Sequence, residues 1–287
     1  MARVLDIKAS QPVLGFSVSA LPRELEHPEQ PVSITYSIQL IDRYIRAGRR
    51  LFFLPASLDA MEGKAFRMSL VRRYDHKEYW LSAELPLDGI LDGESIQMLF
   101  DQCMKRAGTR YVDQVLVSGL KDEEMLAACL DASVFEFLLT CKDQDLLRGI
   151  AILADSPSCI LDEILERYPF IDVVQIPLNY RQWLTGGSGS YEVAVKHGKP
   201  VIACRPLDGG ELARPSHDVA ALLPSAQRAK DALRFSGSHK GVVCVAVGIS
   251  DPIDLAENLS VFSSWTPMSS EEMEKCLAAG KKLISAV

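Results

Sequence analysis

Eight short runs of apolar residues, many of them β-branched or aromatic, recur from one end of the chain to the other. Most gaps between them hold segments of helical periodicity. The runs fall at residues 13–17, 51–54, 79–84, 111–117, 149–153, 173–178, 200–204 and 242–247. Several are apolar nearly throughout, the pattern of parallel strands buried on both faces. Strands that alternate with helices imply right-handed crossovers and a parallel sheet. Eight such units in 287 residues predict an α/β fold of one domain spanning 1–287, the (β/α)8 TIM barrel. A doubly wound open sheet competes, but its Gly-x-Gly-x-x-Gly turn after an early strand is absent.

Local signals place the helices. Ile34, Ile38, Ile41 and Ile45 share one helical face that ends near Gly48, and Ile96, Leu99, Cys103 and Met104 share another that ends at Gly108. Ser156-Pro157 reads as the start of a helix through Tyr168, and Val193 to His197 closes on Gly198. Ser269 with Glu272 predicts a capping box for a last helix over 271–284. Asp122-Glu123-Glu124 reads as an acidic helix start. Gly186-Gly187-Ser188-Gly189 follows no phosphate-site strand and is expected to be a flexible surface loop.

Composition narrows the function. The net charge is -7 and no basic tract is present, which disfavours nucleic acid as a partner. No apolar run approaches the length of a membrane span, and the N-terminus lacks a secretory apolar core, so a cytoplasmic location is expected. The seven cysteines are scattered with no C-x-x-C pair, so neither a metal cage nor a disulfide framework is expected. His27, His76, His197, His217 and His239 share no metal-ligand spacing and are expected in solvated or capping roles. Trp183 sits on a long strand-to-helix connection that could cover a ligand.

The segments Leu14-Gly15-Phe16, Ala47-Gly48, Ala107 to Asp113, Val174-Gln175-Ile176 with Asn179-Tyr180, Arg205 to Leu212, and Gly248-Ile249-Ser250 running to Glu257-Asn258 occur in a characteristic order and spacing. In these the chain, from Leu14 to about Lys282, resembles the aldo-keto reductases. It is nearest the branch whose relatives often carry an iron–sulfur domain, although no cysteine cluster for such a domain occurs here. The resemblance implies hydride transfer from a nicotinamide to a carbonyl, with a Tyr proton donor assisted by Lys, Asp and His. The developing alkoxide must be protonated and its charge stabilised. At the four matching positions this chain has Phe53 for the Asp, Leu58 for the Tyr, Glu84 for the Lys and Ser118 for the His.

The cofactor side of the resemblance is mixed. It implies Gln175 on the nicotinamide amide, Gly248 and Ser250 at a phosphate, and Glu257 and Asn258 at the adenine, a partly retained NAD(P) site. The segment that grips the nicotinamide reads Ala151 to Asp155, however, and Cys204 stands where an aromatic often stacks. No Lys or Arg lies between Gly241 and Asn258 to pair a 2′-phosphate, which disfavours NADPH. An equal alternative is that these glycines and the Glu-Asn pair only hold a turn and a helix together.

Barrel geometry sends polar groups at strand C-termini into the mouth. That list is Glu84, Ser118, Asp155, Asn179, Arg205 and Asp208, with Ser57 and Asp59 on a preceding loop. A carboxylate near Phe53 and Leu58 suits a general acid or base, and Arg205 suits a carboxylate or phosphate. The set points to proton-transfer chemistry on a small-molecule ligand, with Glu84, Asp155, Arg205 and Ser118 as candidate catalytic residues. Three alternatives stay open: an NAD(P)H-dependent reductase with another proton donor, an inactive subunit with a protein partner or a second copy, and a mouth filled by a Glu84–Arg205 ion pair.

Overall fold

The structure, a computed structural model, describes residues 11–24, 31–87, 92–213 and 228–285. Eight parallel strands close into a barrel in sequence order. They are β1 (Val13–Ser17), β2 (Leu51–Leu54), β3 (Trp80–Pro86), β4 (Gln114–Ser118), β5 (Ile150–Leu153), β6 (Val173–Pro177), β7 (Val201–Cys204) and β8 (Val242–Gly248). Ten α-helices among the described residues surround them: α1 (Ile34–Arg46), α2 (Ala60–Phe66), α3 (Gly93–Ala107), α4 (Glu123–Asp131), α5 (Val134–Asp143), α6 (Ser158–Arg167), α7 (Gly187–Lys196), α8 (Arg228–Gly237), α9 (Pro252–Ser263) and α10 (Ser270–Ser285). The ring closes where β1 pairs with β8, Val13 opposite Cys244 through Ser17 opposite Gly248.

Every strand forms where the sequence puts one; most shifted edges move by a single residue, and the end of β3 and the start of β4 move further. β3 runs on through Leu85 to Pro86. β4 starts at Gln114 instead of residue 111, because Val112 makes only an isolated bridge to Leu147 while Tyr111 stacks on a side chain. Alternation along the strands divides the apolar residues into two cores. Outward residues such as Phe52, Leu81, Val115, Val174 and Val245 pack under the helices. Inward residues, among them Leu51, Phe53, Trp80, Leu116, Leu153, Ile202 and Cys204, fill the bore. Gly15 makes that filling work: a Cβ there would come within 2.4 Å of the Phe53 ring and 2.8 Å of Cys244 Sγ. Phe53 thus reaches across to β1 while packing edge-on against Trp80 at 5.8 Å.

Capping chemistry works as read at several helices. The Asp122 carboxylate accepts the Met125 amide, and Ser269 and Glu272 exchange hydrogen bonds across the first turn of α10. Gly108 ends α3 in the left-handed region. Three expectations need correction. The glycine-rich 186–189 segment is not a surface loop: Gly187 to Ser190 form the first turn of α7. A Cβ on Gly187 would meet the carbonyls of Gln182 and Pro177 at 3.0 and 3.2 Å, so close packing, not flexibility, selects glycine. The helix after Pro157 begins at Ser158 without a side-chain cap from Ser156. Trp183 does not lie over the mouth; it packs among Tyr191, Phe235 and His239.

His76 and His239 depart from the solvated roles expected of them because their partners are distant in sequence, whereas His197 caps the C-terminus of α7 as expected. His76 stacks on Tyr111 at 4.0 Å and on Tyr79 at 4.8 Å, and its Nε2 lies 3.0 Å from Asp113 Oδ2. Asp113 also accepts from the Leu81 amide at 2.9 Å and from Arg148 at 2.9 Å, so it knits together the N-terminal ends of β3, β4 and β5. His197 pairs with Asp162 at 2.6 Å. His239 stacks on Trp183 at 4.1 Å with Nε2 buried and without a partner among the described residues, and burial pushes its pKa down from 6.5 to about 4. His27 and His217 lie outside the described residues.

Two stability predictions follow from these contacts. Asp113→Ala leaves the Leu81 amide and Arg148 without their acceptor and should cost about 2–4 kcal/mol in urea unfolding at pH 7. Because the unfolded chain takes up a proton on His239 before the folded one does, stability present above pH 6.5 should fall as the pH drops toward 4. The loss should be about 3 kcal/mol at most, and His239→Phe should flatten this part of the unfolding profile.

Candidate functional site

The C-terminal ends of the strands form a mouth whose floor is largely apolar. Phe53, Leu116, Leu153, Cys204 and Ala246 point inward near it and are buried. Gln175 joins them, 8% exposed, with Oε1 buried and unpartnered. Burial pushes the Cys204 thiol up to about 12, against a smaller opposing effect from Arg205, so it is protonated at neutral pH.

Glu84 is fixed on this floor at the upper end of β3. Its Oε1 accepts from Ser118 Oγ at 2.7 Å and its Oε2 accepts from the Ala56 amide at 2.9 Å. Arg106 of α3 donates from behind to the Glu84 backbone carbonyl. Two groups thus hold the partly exposed carboxylate and a third holds its backbone, leaving each carboxylate oxygen with further lone-pair capacity. The expectation that Glu84 and Arg205 pair with each other and fill the mouth is not met: Glu84 uses Ser118 and Ala56, and Arg205 makes no ion pair among the described residues.

Arg205 follows β7 with its backbone in the left-handed region, φ 50°. A non-glycine residue holds that conformation only when its surroundings compensate. Here its carbonyl accepts from Asn179 Nδ2 at 2.9 Å and from the Asp208 amide at 3.0 Å. Asn179 is fully buried, and its Oδ1 accepts the amides of Arg181 and Gln182 at 2.9 Å each. Asn179 therefore joins the β6 and β7 connections instead of facing a ligand. Asp208 is likewise committed, to Arg181 at 2.8 Å. Asp59 caps α2 through the amides of Met61 and Glu62, and Ser57 is exposed on the rim.

What remains directed at solvent is a charged rim. The Asp155 side chain is solvent-accessible, yet the protein mass around it raises its pKa through desolvation, and Glu84 adds to the rise; Arg205 and Lys121 oppose it. The Arg205 guanidinium is exposed. Sequence reasoning found Glu84, Ser118, Asp155 and Arg205 from their strand-end positions. It missed Arg106, Lys121 and the Ala56 amide, for which only the Lys121 position just beyond β4 carried a signal.

Apart from Gln175, the expected nucleotide residues lie around β8 and α9. Gly248 and Ser250 are exposed, as is Glu257, whereas Asn258 is 4% exposed and its side chain makes no hydrogen bond among the described residues. The amides of Ile253 and Asp254 at the start of α9 are taken by the Asp251 carboxylate at 2.7 and 2.8 Å, and Pro252 has no N–H. This helix start, read from sequence as a phosphate seat, already holds the protein's own anion. Among the described residues no group of three or more His, Cys, Asp or Glu side chains is placed to hold a metal ion, and no helix is long and apolar enough to cross a membrane.

Solved structures superpose on nearly the whole chain. An aldo-keto reductase from Bacillus halodurans in its apo form matches with a TM-score of 0.66 at 18% identity, covering 94% of this chain and 90% of that one. An aldo-keto reductase from Klebsiella pneumoniae in complex with NADPH gives 0.70 at 14% identity, covering 93% and 90%. A third, from Brucella melitensis, gives 0.64 at 17% identity, covering 93% and 92%. The fold is that of the aldo-keto reductases. No family model matches the chain, and no curated protein matches it.

The rim electrostatics can be checked by titration. In Arg205→Gln the opposing positive charge is gone, so the Asp155 pKa, followed by carboxyl ¹³C shifts, should rise above its wild-type value. A fall, or no change, would mean that Arg205 does not face Asp155.

Proposed function

We propose that the chain is a diverged relative of the aldo-keto reductases that carries out non-redox acid/base chemistry on a small anionic molecule bound in the barrel mouth. The observation that carries this reading is Glu84, a carboxylate oriented by Ser118 and the Ala56 amide. The resemblance implies a lysine at this position. Hydride transfer to a carbonyl builds negative charge on oxygen, and an anion there opposes it. The same carboxylate suits removal of a proton from carbon. Phe53 and Leu58 at the Asp and Tyr positions, and Ser118 at the His position, support the same direction.

In this reading the substrate's carboxylate or phosphate pairs with the Arg205 guanidinium at the rim, where bidentate geometry fixes its orientation. Glu84 takes the proton from the adjacent acidic carbon. Ser118 keeps its hydroxyl proton on Glu84 Oε1 and so sets the carboxylate's direction. Asp155, whose pKa is raised by its surroundings, returns a proton on the other side of the mouth. The apolar floor of Phe53, Leu116 and Leu153 strengthens these charge interactions by excluding water.

One observation favours an NAD(P)H-dependent reductase as the second reading. Among the described residues the buried Oε1 of Gln175 has no partner and fits an amide N–H, and the side chain of the buried Asn258 makes no hydrogen bond. Against it stand the Asp251 carboxylate at the α9 start and the thiol of Cys204 in place of a stacking ring. When bound, a nicotinamide cofactor would supply hydride; Gln175 and Asn258 would hold its two ends.

The test is hydrogen–deuterium exchange into a panel of small carboxylates with acidic C–H bonds, followed by ¹H NMR in D₂O. The wild type should catalyse exchange in at least one member, and Glu84→Gln, which still accepts a hydrogen bond through its amide oxygen, should slow it by about 100-fold or more. Exchange at the wild-type rate in Glu84→Gln would remove Glu84 as the base.

A further inference from the structure

The inward face of β3 presents Trp80, Ser82 and Glu84 in one column, and the neighbouring face of β4 presents Gln114, Leu116 and Ser118. Ser82 and Gln114 are register partners across the ladder. Each is only 2% exposed. Ser82 Oγ and Gln114 Nε2 are both fully buried and have no hydrogen-bond partner among the described residues. Two orphaned polar groups side by side are rare in a folded interior, because each unpaired group costs its full desolvation. The inward neighbours Trp80, Leu116 and Phe53 are predominantly apolar.

We propose that the barrel bore contains a built hydration site between β3 and β4, one pleat below Glu84, where at least one ordered water bridges Ser82 Oγ and the Gln114 amide. A serine hydroxyl both donates and accepts, and a primary amide offers two donors and an acceptor carbonyl, so the pair supplies the polar partners a buried water requires. The site explains why a barrel interior otherwise filled with Leu, Phe, Trp and Ile retains a serine and a glutamine at adjacent positions. It does not depend on the acid/base reading of the mouth, and it stands or falls separately.

Two measurements on the full chain test it. A high-resolution crystal structure should show water within hydrogen-bond distance of both Ser82 Oγ and the Gln114 amide. Oxygen-17 relaxation dispersion should count at least one fewer long-lived water in the double variant Ser82→Ala/Gln114→Met than in the wild type. The thermal midpoint of that variant should stay close to the wild-type value, since a hydrated pair is already satisfied. A direct Ser82–Gln114 hydrogen bond with no water between them would overturn the proposal. So would an unchanged long-lived water count, or a marked rise in the midpoint, which is the signature of dry, unsatisfied groups being removed.

Discussion

The pairing of β1 with β8 is the contact on which everything else rests. It turns an open sheet into a ring, gives every strand two neighbours, and sorts each strand's side chains into those that face the helices and those that face the bore. Closure demands a filled interior, and Phe53 supplies much of that filling by reaching over Gly15 to β1. The same closure gathers the strand C-termini around a single mouth. Residues far apart in sequence, such as Glu84, Ser118, Asp155 and Arg205, thereby share one electrostatic environment.

The two ends of the barrel use their polar groups differently. At the N-terminal end Asp113 is fully engaged: it serves Leu81, His76 and Arg148, and His76 lies stacked between two tyrosines. At the C-terminal end several polar groups retain unused capacity. Arg205 holds a left-handed backbone conformation and makes no ion pair among the described residues, and Asp155 carries a raised pKa at a solvent-accessible position. Unspent polar capacity and perturbed titration gathered in one concavity are what support the proposed site at that end.

The fold was legible because its signals are local. Apolar runs such as Val201–Cys204 and caps such as Asp122 or Ser269 are decided within a few residues. Strand-end position alone also brought Glu84, Ser118, Asp155 and Arg205 into the candidate site. It could not distinguish them from Asn179 and Asp208, which occupy equivalent positions but are consumed by the β6 and β7 connections. What stayed hidden depended on partners distant in sequence: the His76 and His239 stacks, Arg106 behind Glu84, and the packing that turns the 186–189 glycines into a helix start. Propensity reads glycines as loop, and tertiary packing overrides it.

The central claim is that a carboxylate at Glu84 has taken this barrel away from hydride chemistry. Titration of the purified protein with NADH and NADPH, following nicotinamide fluorescence and calorimetric heat, tests it most directly. The account predicts no saturable binding up to roughly millimolar cofactor, the weak end of the affinity scale. Saturable binding at micromolar concentration, with cofactor oxidised in the presence of a carbonyl compound, would contradict it and restore the reductase reading.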